Sequence, residues 1–515
     1  MKILRSCVAL FIIGLGFAVA CQANKAPDAD VREPAVAGRF YPEDPMKLRL
    51  AVEKFLEDAV PVQVKEPIAI IVPHAGYIYS GQICADAFKQ VRDKQYDVIV
   101  ILGTNHTTPG FDKISVHPGG GFRTPLGIAP IDVELAAKIL AADPDDCVST
   151  RAVHHREHSV EVIVPFVQVV FPNAKIVPII VGAPDVNMCK RFGEALAKTL
   201  KDRRALIVAS SDLSHYPAAE DAVAVDKKTL DAITTLDPAR LHAVAQSQMS
   251  LFIAKLETCA CGEAPVMAAM AAARSLGATR GLVVSYANSG DVAVGDRSQV
   301  VGYGAVVLAK DRSETVRGTI DRSSPSTPSG FLNSSDKKVL LAFARDTISR
   351  IFLTDTVPLA RSENANLKEK CGVFVTLKKK NELRGCIGRI VGDEPLIKLV
   401  GAMALQAAFN DPRFRPVQSD ELRDIEIEIS VLTPMKKVSS AQDIVVGRDG
   451  VVLQKGGHSA VFLPQVATEQ GWTREEMLDN LAEKAGLSKG SWREGTQFST
   501  FQAVVFSEKE FNRPK

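Results

Sequence analysis

The sequence predicts an α/β domain, a mostly parallel sheet with flanking helices, followed by a separate α+β domain. Three features predict this. Short apolar runs at residues 68–72, 97–102, 176–181 and 205–209 are separated by segments of helical spacing, the pattern of strands joined through helices. A polar stretch containing SSPSTPSG interrupts that pattern across residues 310–334. Beyond it, short alternating runs replace the strand–helix rhythm. The 515-residue chain is also too long for one core at roughly 150 residues per domain.

The N-terminus is not part of either fold. Lys2 and Arg5 precede an apolar run at residues 8–20, about the length of a signal-peptide core and short for a bilayer span. Ala18-Val19-Ala20 forms an A-x-A cleavage site directly before Cys21. This start resembles a bacterial lipoprotein signal, with residues 1–20 as signal peptide, Cys21 as the acylated residue and residues 21–31 as a polar tether. Cleavage without acylation would give a simply secreted protein. The expectation is an exported chain, periplasmic or membrane-anchored, that meets the membrane only through its lipid. A net charge of +2 gives no electrostatic footprint for nucleic acid. The nine cysteines are scattered, unlike a disulfide scaffold.

In the first domain, residues 32–309, positions 46–59 have helical spacing and the run at 68–72 ends at Pro73, which cannot donate to a sheet ladder. A helix over 82–91, a strand over 97–102, a helix over 132–142 and strands at 176–181 and 205–209 follow. Helices dominate to residue 276, and 282–286 and 300–308 read as late strands. In the second domain, residues 335–511, an amphipathic helix covers 335–353, and 372–377 with 383–390 form a hairpin. Residues 425–432 alternate charged and apolar side chains, as a half-exposed strand does. Strands at 448–454 and 460–463, a helix at 474–485 and one closing strand at 498–506 complete the reading.

Seven of the nine histidines fall between His74 and His215. His74, His106 and His215 each follow an expected strand end, the edge of an open α/β sheet where ligands bind. One such histidine could simply fill a turn; three point to convergence. Neutral imidazole is both a metal ligand and a general base. Cys261 precedes a helix expected at 263–273, whose N-terminus favours thiolate; Cys259 and Cys261 could equally be small buried hydrophobes or a disulfide pair. Asp212 lies three residues before His215 and could orient it, accept a proton, or cap the next segment. Within His154, His155 and His158, the last is expected to point inward. His117 and His242 read as surface residues. Gly119-Gly120-Gly121 lacks the Lys-Ser/Thr of a phosphate loop.

Read together, VPHAGYIYSG, LGTNHT, EHSVE, SSDLSHY and Cys261-Gly262 resemble the Memo family (mediator of cell motility), protein B of the AmmeMemoRadiSam system. The family's fold is similar to the LigB-type class III extradiol dioxygenases. The resemblance implies His74, His106 and Cys261 as ligands of one redox-active metal, with His215 and Asp212 in the acid–base position and His158 at the cofactor site. Cys261 stands where a facial triad has its carboxylate, which softens the site toward iron or copper.

The second domain centres on Leu383-Arg384-Gly385-Cys386-Ile387-Gly388. Flanking glycines allow close backbone approach, and Arg384 could lower the Cys386 thiol pKa. A buried cysteine, or a disulfide with Cys371, is the plainer reading. CGVFVTLKK, LRGCIG, AFNDPRF, SVLTP and FLPQVATEQGW resemble the AMMECR domain, protein A of the same system. Cys386 and Arg384 are its candidate site residues, with His458, Asn410, Asp411 and Arg413 as further candidates. The resemblance implies a pathway link to a radical-SAM protein. The resulting expectation is an exported non-haem-metal redox enzyme acting on a small molecule or peptide; a non-catalytic peptide-binding module and a metal-assisted hydrolase are the alternatives.

Overall fold

The computed structural model describes residues 30–310, 332–433 and 435–511. The expected signal peptide and Cys21 lie outside the described residues, as does most of the expected linker. The first domain is built on an eight-stranded sheet. Its centre is four parallel strands in the order Pro67–Val72, Ala205–Ser210, Val98–Thr104 and Lys175–Val181. Val98–Thr104 is buried along its whole length, which is why it reads as an unbroken apolar run. Antiparallel strands extend the sheet on both sides: Gly302–Ala309 and Arg280–Asn288 beyond Pro67–Val72, and Ile114–Val116 beyond Lys175–Val181. A small sheet joins Val31–Arg32, Gly121–Thr124 and Gly127–Pro130.

The helix after the first core strand spans Tyr77–Lys89, five residues earlier than expected. Its start leaves only residues 73–76 between strand and helix, so His74 is fixed in a short turn. Helix Glu263–Ser275, with Pro265 in its first turn, is nearly all buried, and its N-terminal Gly262 packs against Ser210 and Ser211; a Cβ there would lie 2.3 Å from the Ser210 carbonyl oxygen. That close approach brings Cys261 to the carboxyl edge of the sheet.

The second domain holds two four-stranded antiparallel sheets. One runs Glu382–Arg389, Val373–Lys379, Ile425–Leu432, Ala503–Ser507; the other Lys436–Val438, Gln497–Phe501, Gly450–Lys455, His458–Phe462. The expected closing strand at 498–506 is therefore two strands in different sheets. Gln502 is the joint: its N–H donates to Thr433 Oγ1 at 2.8 Å and its carbonyl accepts from Thr433 N–H at 2.7 Å. Both chains of this ribbon change sheets at the same point.

The two domains are packed together. Val292 bridges Leu359, and Val292, Ala293, Val357 and Leu405 share an apolar cluster with Ile78 and Phe409. Arg361 pairs with the wholly buried Asp86 at 2.6 Å, Arg350 pairs with Asp58, and the Lys398 ammonium donates to the Gly295 carbonyl at 3.2 Å.

Candidate metal centre

His74, His106, Asp212 and Cys261 meet at the carboxyl edge of the parallel strands, together with His158. Two overlapping donor groups form there: His74, His106 and His158, and His74, Asp212 and Cys261, the ligand atoms of each lying within 4.8 Å of one another. His74 belongs to both. The expected trio of His74, His106 and Cys261 is thus split between them, and His158 and Asp212 enter as donors in their own right.

The partners of each ring decide which nitrogen is bare. His74 Nδ1 lies 2.8 Å from Ser210 Oγ, and the Ser210 hydroxyl donates to the Ser159 carbonyl at 2.6 Å. With its hydrogen used there, Ser210 accepts from His74 Nδ1–H, so Nε2 carries the lone pair. Cys261 Sγ faces that Nε2 at 3.1 Å. His106 Nδ1 donates to Glu157 Oε1 at 2.9 Å, which leaves its Nε2 bare as well. His158 Nδ1 is 3.4 Å from the same carboxylate oxygen. The rings of His106 and His158 stack at 4.6 Å, and each stands edge-on to His74 at 5.1 and 5.4 Å. Phe40 closes over His158 at 4.9 Å.

Burial dominates the electrostatics. It holds His74 well below the ordinary imidazole range, and His106 and His158 add to the effect. Burial likewise lowers His158 to about 4. Asp212 is pushed up to about 7 by burial, against hydrogen bonds from His74 and Ala75 backbone N–H groups. Glu157 goes the other way, to about 2: burial opposes ionisation, but the His106 side chain and backbone outweigh it. The Cys261 thiol is pushed far up by burial and then by Asp212, so the helix N-terminus does not make it a thiolate by itself. Bare imidazole nitrogens whose far sides are held by acceptors, a thiol and a carboxylate are a donor set suited to a transition metal.

His215 sits beside this group. Its backbone is fixed by Thr258 and Glu257, and by a bridge to Val301. Its Nε2 is buried with no hydrogen-bond partner among the described residues, and burial and then His106 lower it to about 4. Asp212 does not orient it: the carboxylate serves the His74 and Ala75 amides and lies 4.0 Å from His74 Nε2.

One expectation for the other histidines needs correction. His117 is buried, not superficial, because the strand Ile114–Val116 carries it inward. Its N–H donates to the Pro178 carbonyl, its Nδ1 accepts from Gly119 N–H, and its ring meets buried His154 at 4.8 Å. His242 is a partly exposed partner of Glu263 at 2.7 Å. Sequence reasoning also gave Glu157, Ser210 and Ser159 no role. Glu157 lay inside the quoted EHSVE stretch, but nothing in its type or spacing says that three backbone N–H groups and a ring would point at it.

In the second domain, Cys386 lies on an edge strand. Its N–H donates to Asp411 Oδ2 at 2.8 Å, and Arg413, itself held by Asp411, donates to its carbonyl. The Thr376 hydroxyl reaches its sulfur at 3.2 Å. Arg384 instead makes a bidentate pair with Glu421 at 3.0 and 2.8 Å. His458 stands in the other sheet and its Nδ1–H donates to the Ala485 carbonyl. Asn410 ends helix Leu396–Phe409. Cys371 and Cys386 are both free thiols.

A family model described as Memo-like protein matches residues 32–307, and one described as AMMECR1 matches residues 341–506. A MEMO1 family protein of Aquifex aeolicus is 41% identical over 278 residues, covering 53% of this chain and 97% of that protein. A MEMO1 family protein of Nitrosopumilus maritimus is 35% identical over 282 residues, covering 54% and 98%. The solved structure of an uncharacterized protein from Pyrococcus horikoshii shares 35% identity, covers 35% of this chain and 95% of its own, and superposes with a TM-score of 0.32. The chain belongs to the Memo family, with an AMMECR1 domain fused behind its Memo domain.

Proposed function

We propose that the Memo domain is a mononuclear metal site of a redox enzyme, with His74 as the shared ligand. The observation that supports this most is the convergence of imidazoles whose Nδ1 atoms are occupied by Ser210 and Glu157 and whose Nε2 lone pairs face the site, that of His74 towards the Cys261 sulfur. The imidazole group would suit iron or copper, and the thiol of Cys261 adds softness on one side. Such an ion would polarise a bound substrate or exchange an electron with it. Around it, Glu157 and Ser210 hold the rings, the N–H groups of His74 and Ala75 hold Asp212, and His215 offers an unpartnered nitrogen to a substrate proton. We also propose that the chain is exported and acylated at Cys21.

Metal analysis and spectroscopy of anaerobically purified protein test the first reading. His74→Ala removes the metal under either donor arrangement. His158→Ala and Cys261→Ala separate the two: whichever loses the metal names the arrangement. His215→Ala keeps it. Full occupancy in both His74→Ala and His106→Ala would end the proposal, and a redox-silent zinc would move it to metal-assisted hydrolysis. For the second reading, Cys21→Ser should release the protein from membranes; a parent chain already soluble would exclude the anchor.

A further inference from the structure

A turn on the far side of His215 carries apolar residues that the fold leaves in solvent. After helix Pro238–Met249, the chain reads Ser250-Leu251-Phe252-Ile253-Ala254-Lys255-Leu256. Phe252 is 92% exposed, Leu251 58% and Met249 37%. Isolated exposed apolar residues are ordinary, but three within four positions at one tip are not. The same turn buries what it can: Ile253 and Leu256 pack on Val225, Ala245 and Cys259. The two consecutive side chains at the apex are turned outward.

The apex is held rigidly in that state. Phe252 has φ +52 and Lys255 φ +61, left-handed backbone that non-glycine residues avoid. Ser250, Leu251, Phe252 and Leu256 N–H groups are bonded to the carbonyls of Gln246, Gln248, Met249 and Ile253. Downstream, Glu257 and Thr258 pair with the His215 backbone. A backbone already fixed in the turn lowers the ordering cost when the tip enters another phase.

Cations flank it. Lys228 and Arg240 line, with Leu251, an open recess of about 410 Å³; on the other side Lys255, three residues past Phe252, is countered by Asp296 and by exposed Glu257 two residues on. The acid of that recess, Asp231, is engaged by Lys227 at 2.8 Å. An aromatic–aliphatic tip beside Lys228 and Arg240 matches the interface of an anionic bilayer, where the apolar groups sit at the acyl boundary and the cations at the headgroups. We propose that the turn from Met249 to Lys255 is a membrane-contact loop that inserts Leu251 and Phe252 into an anionic lipid surface. It adds a contact independent of any acyl chain and of the metal, and it would place the rim beside His215 near the bilayer.

The test uses the full chain carrying Cys21→Ser, so that no lipid anchor contributes, with vesicles of phosphatidylcholine alone or mixed with phosphatidylglycerol. The chain should sediment with the anionic vesicles, and Leu251→Asp with Phe252→Asp should lower the bound fraction at least about tenfold. Both positions are exposed, so the fold is not at risk. Phe252→Trp should show a blue-shifted emission on anionic vesicles, and Lys255→Glu should weaken binding to these only. No sedimentation of the parent chain, or sedimentation unchanged by the double aspartate variant, overturns the proposal. A concentration-dependent dimer abolished by the same double substitution would assign the tip to a second copy of the chain and overturn it too.

Discussion

Glu157 holds His106 twice: Oε1 accepts from the ring Nδ1–H at 2.9 Å and Oε2 from the backbone N–H at 2.6 Å. The same carboxylate accepts from the N–H groups of His158 and Ser159. One buried anion therefore sets the tautomer of His106 and the path of the chain through His158. Outer acceptors of this kind change metal affinity by ten- to a hundredfold when removed. Glu157→Ala should lower affinity by about that factor, read by chelator competition, and Glu157→Gln should lower it less. Unchanged affinity in both would show that the carboxylate only organises the loop.

His74, His106 and His215 were legible because each follows an apolar run closed by a breaker or a polar turn, and the sheet does bring them to one edge. Their supports were not. Ser210 ends a strand and Glu157 sits in a charged stretch, and composition cannot say which atoms face which. His117 was misread because Ile114–Val116 is a strand of three residues, too short to show alternation.

Asp226 gives a pH prediction. It is fully buried, accepts from Ser214 N–H and the Tyr286 hydroxyl at 2.8 Å each, and burial pushes it up to about 6 against an ordinary 3.8. The folded state therefore binds more protons than the unfolded state between those values, so this contribution to stability falls as pH rises through the window. The span is on the order of 2–3 kcal/mol. In Asp226→Asn the amide can keep both contacts, and the stability difference from the parent should grow in the variant's favour from pH 4 to pH 6.5. A difference that is flat with pH in denaturant unfolding would refute this.

Cys386 should not depend on Arg384. The guanidinium is committed to Glu421, so Arg384→Ala should change the alkylation rate of Cys386 by less than about twofold. Cys371 should react slowly, since burial and then Glu369 raise it to about 11. A disulfide between them is excluded by register: Cys386 lies opposite Thr376, five positions from Cys371, or roughly 16 Å at strand spacing, beyond the reach of a bridge. Mass spectrometry of unreduced protein should find both thiols free.

The contact between domains predicts how the second one bears on the site. Asp86 is 0% exposed and accepts from Val60 N–H, Gln82 and Arg361 of the second domain. Arg361→Ala leaves a buried carboxylate without its cation and should cost about 1–3 kcal/mol, less than a wholly buried pair because the guanidinium is a third exposed. Asp86→Asn should cost less, since Arg361 can turn to water. Arg361 lies two residues beyond Leu359, which bridges Val292 at one end of the loop at 289–301, and the other end of that loop pairs with His215 and Tyr216. Hydrogen exchange in Arg361→Ala should therefore quicken at 355–361 and at 289–301, while Ile425–Leu432 stays protected. Faster exchange confined to 355–361 would show that the second domain rests on the His215 loop without steadying it.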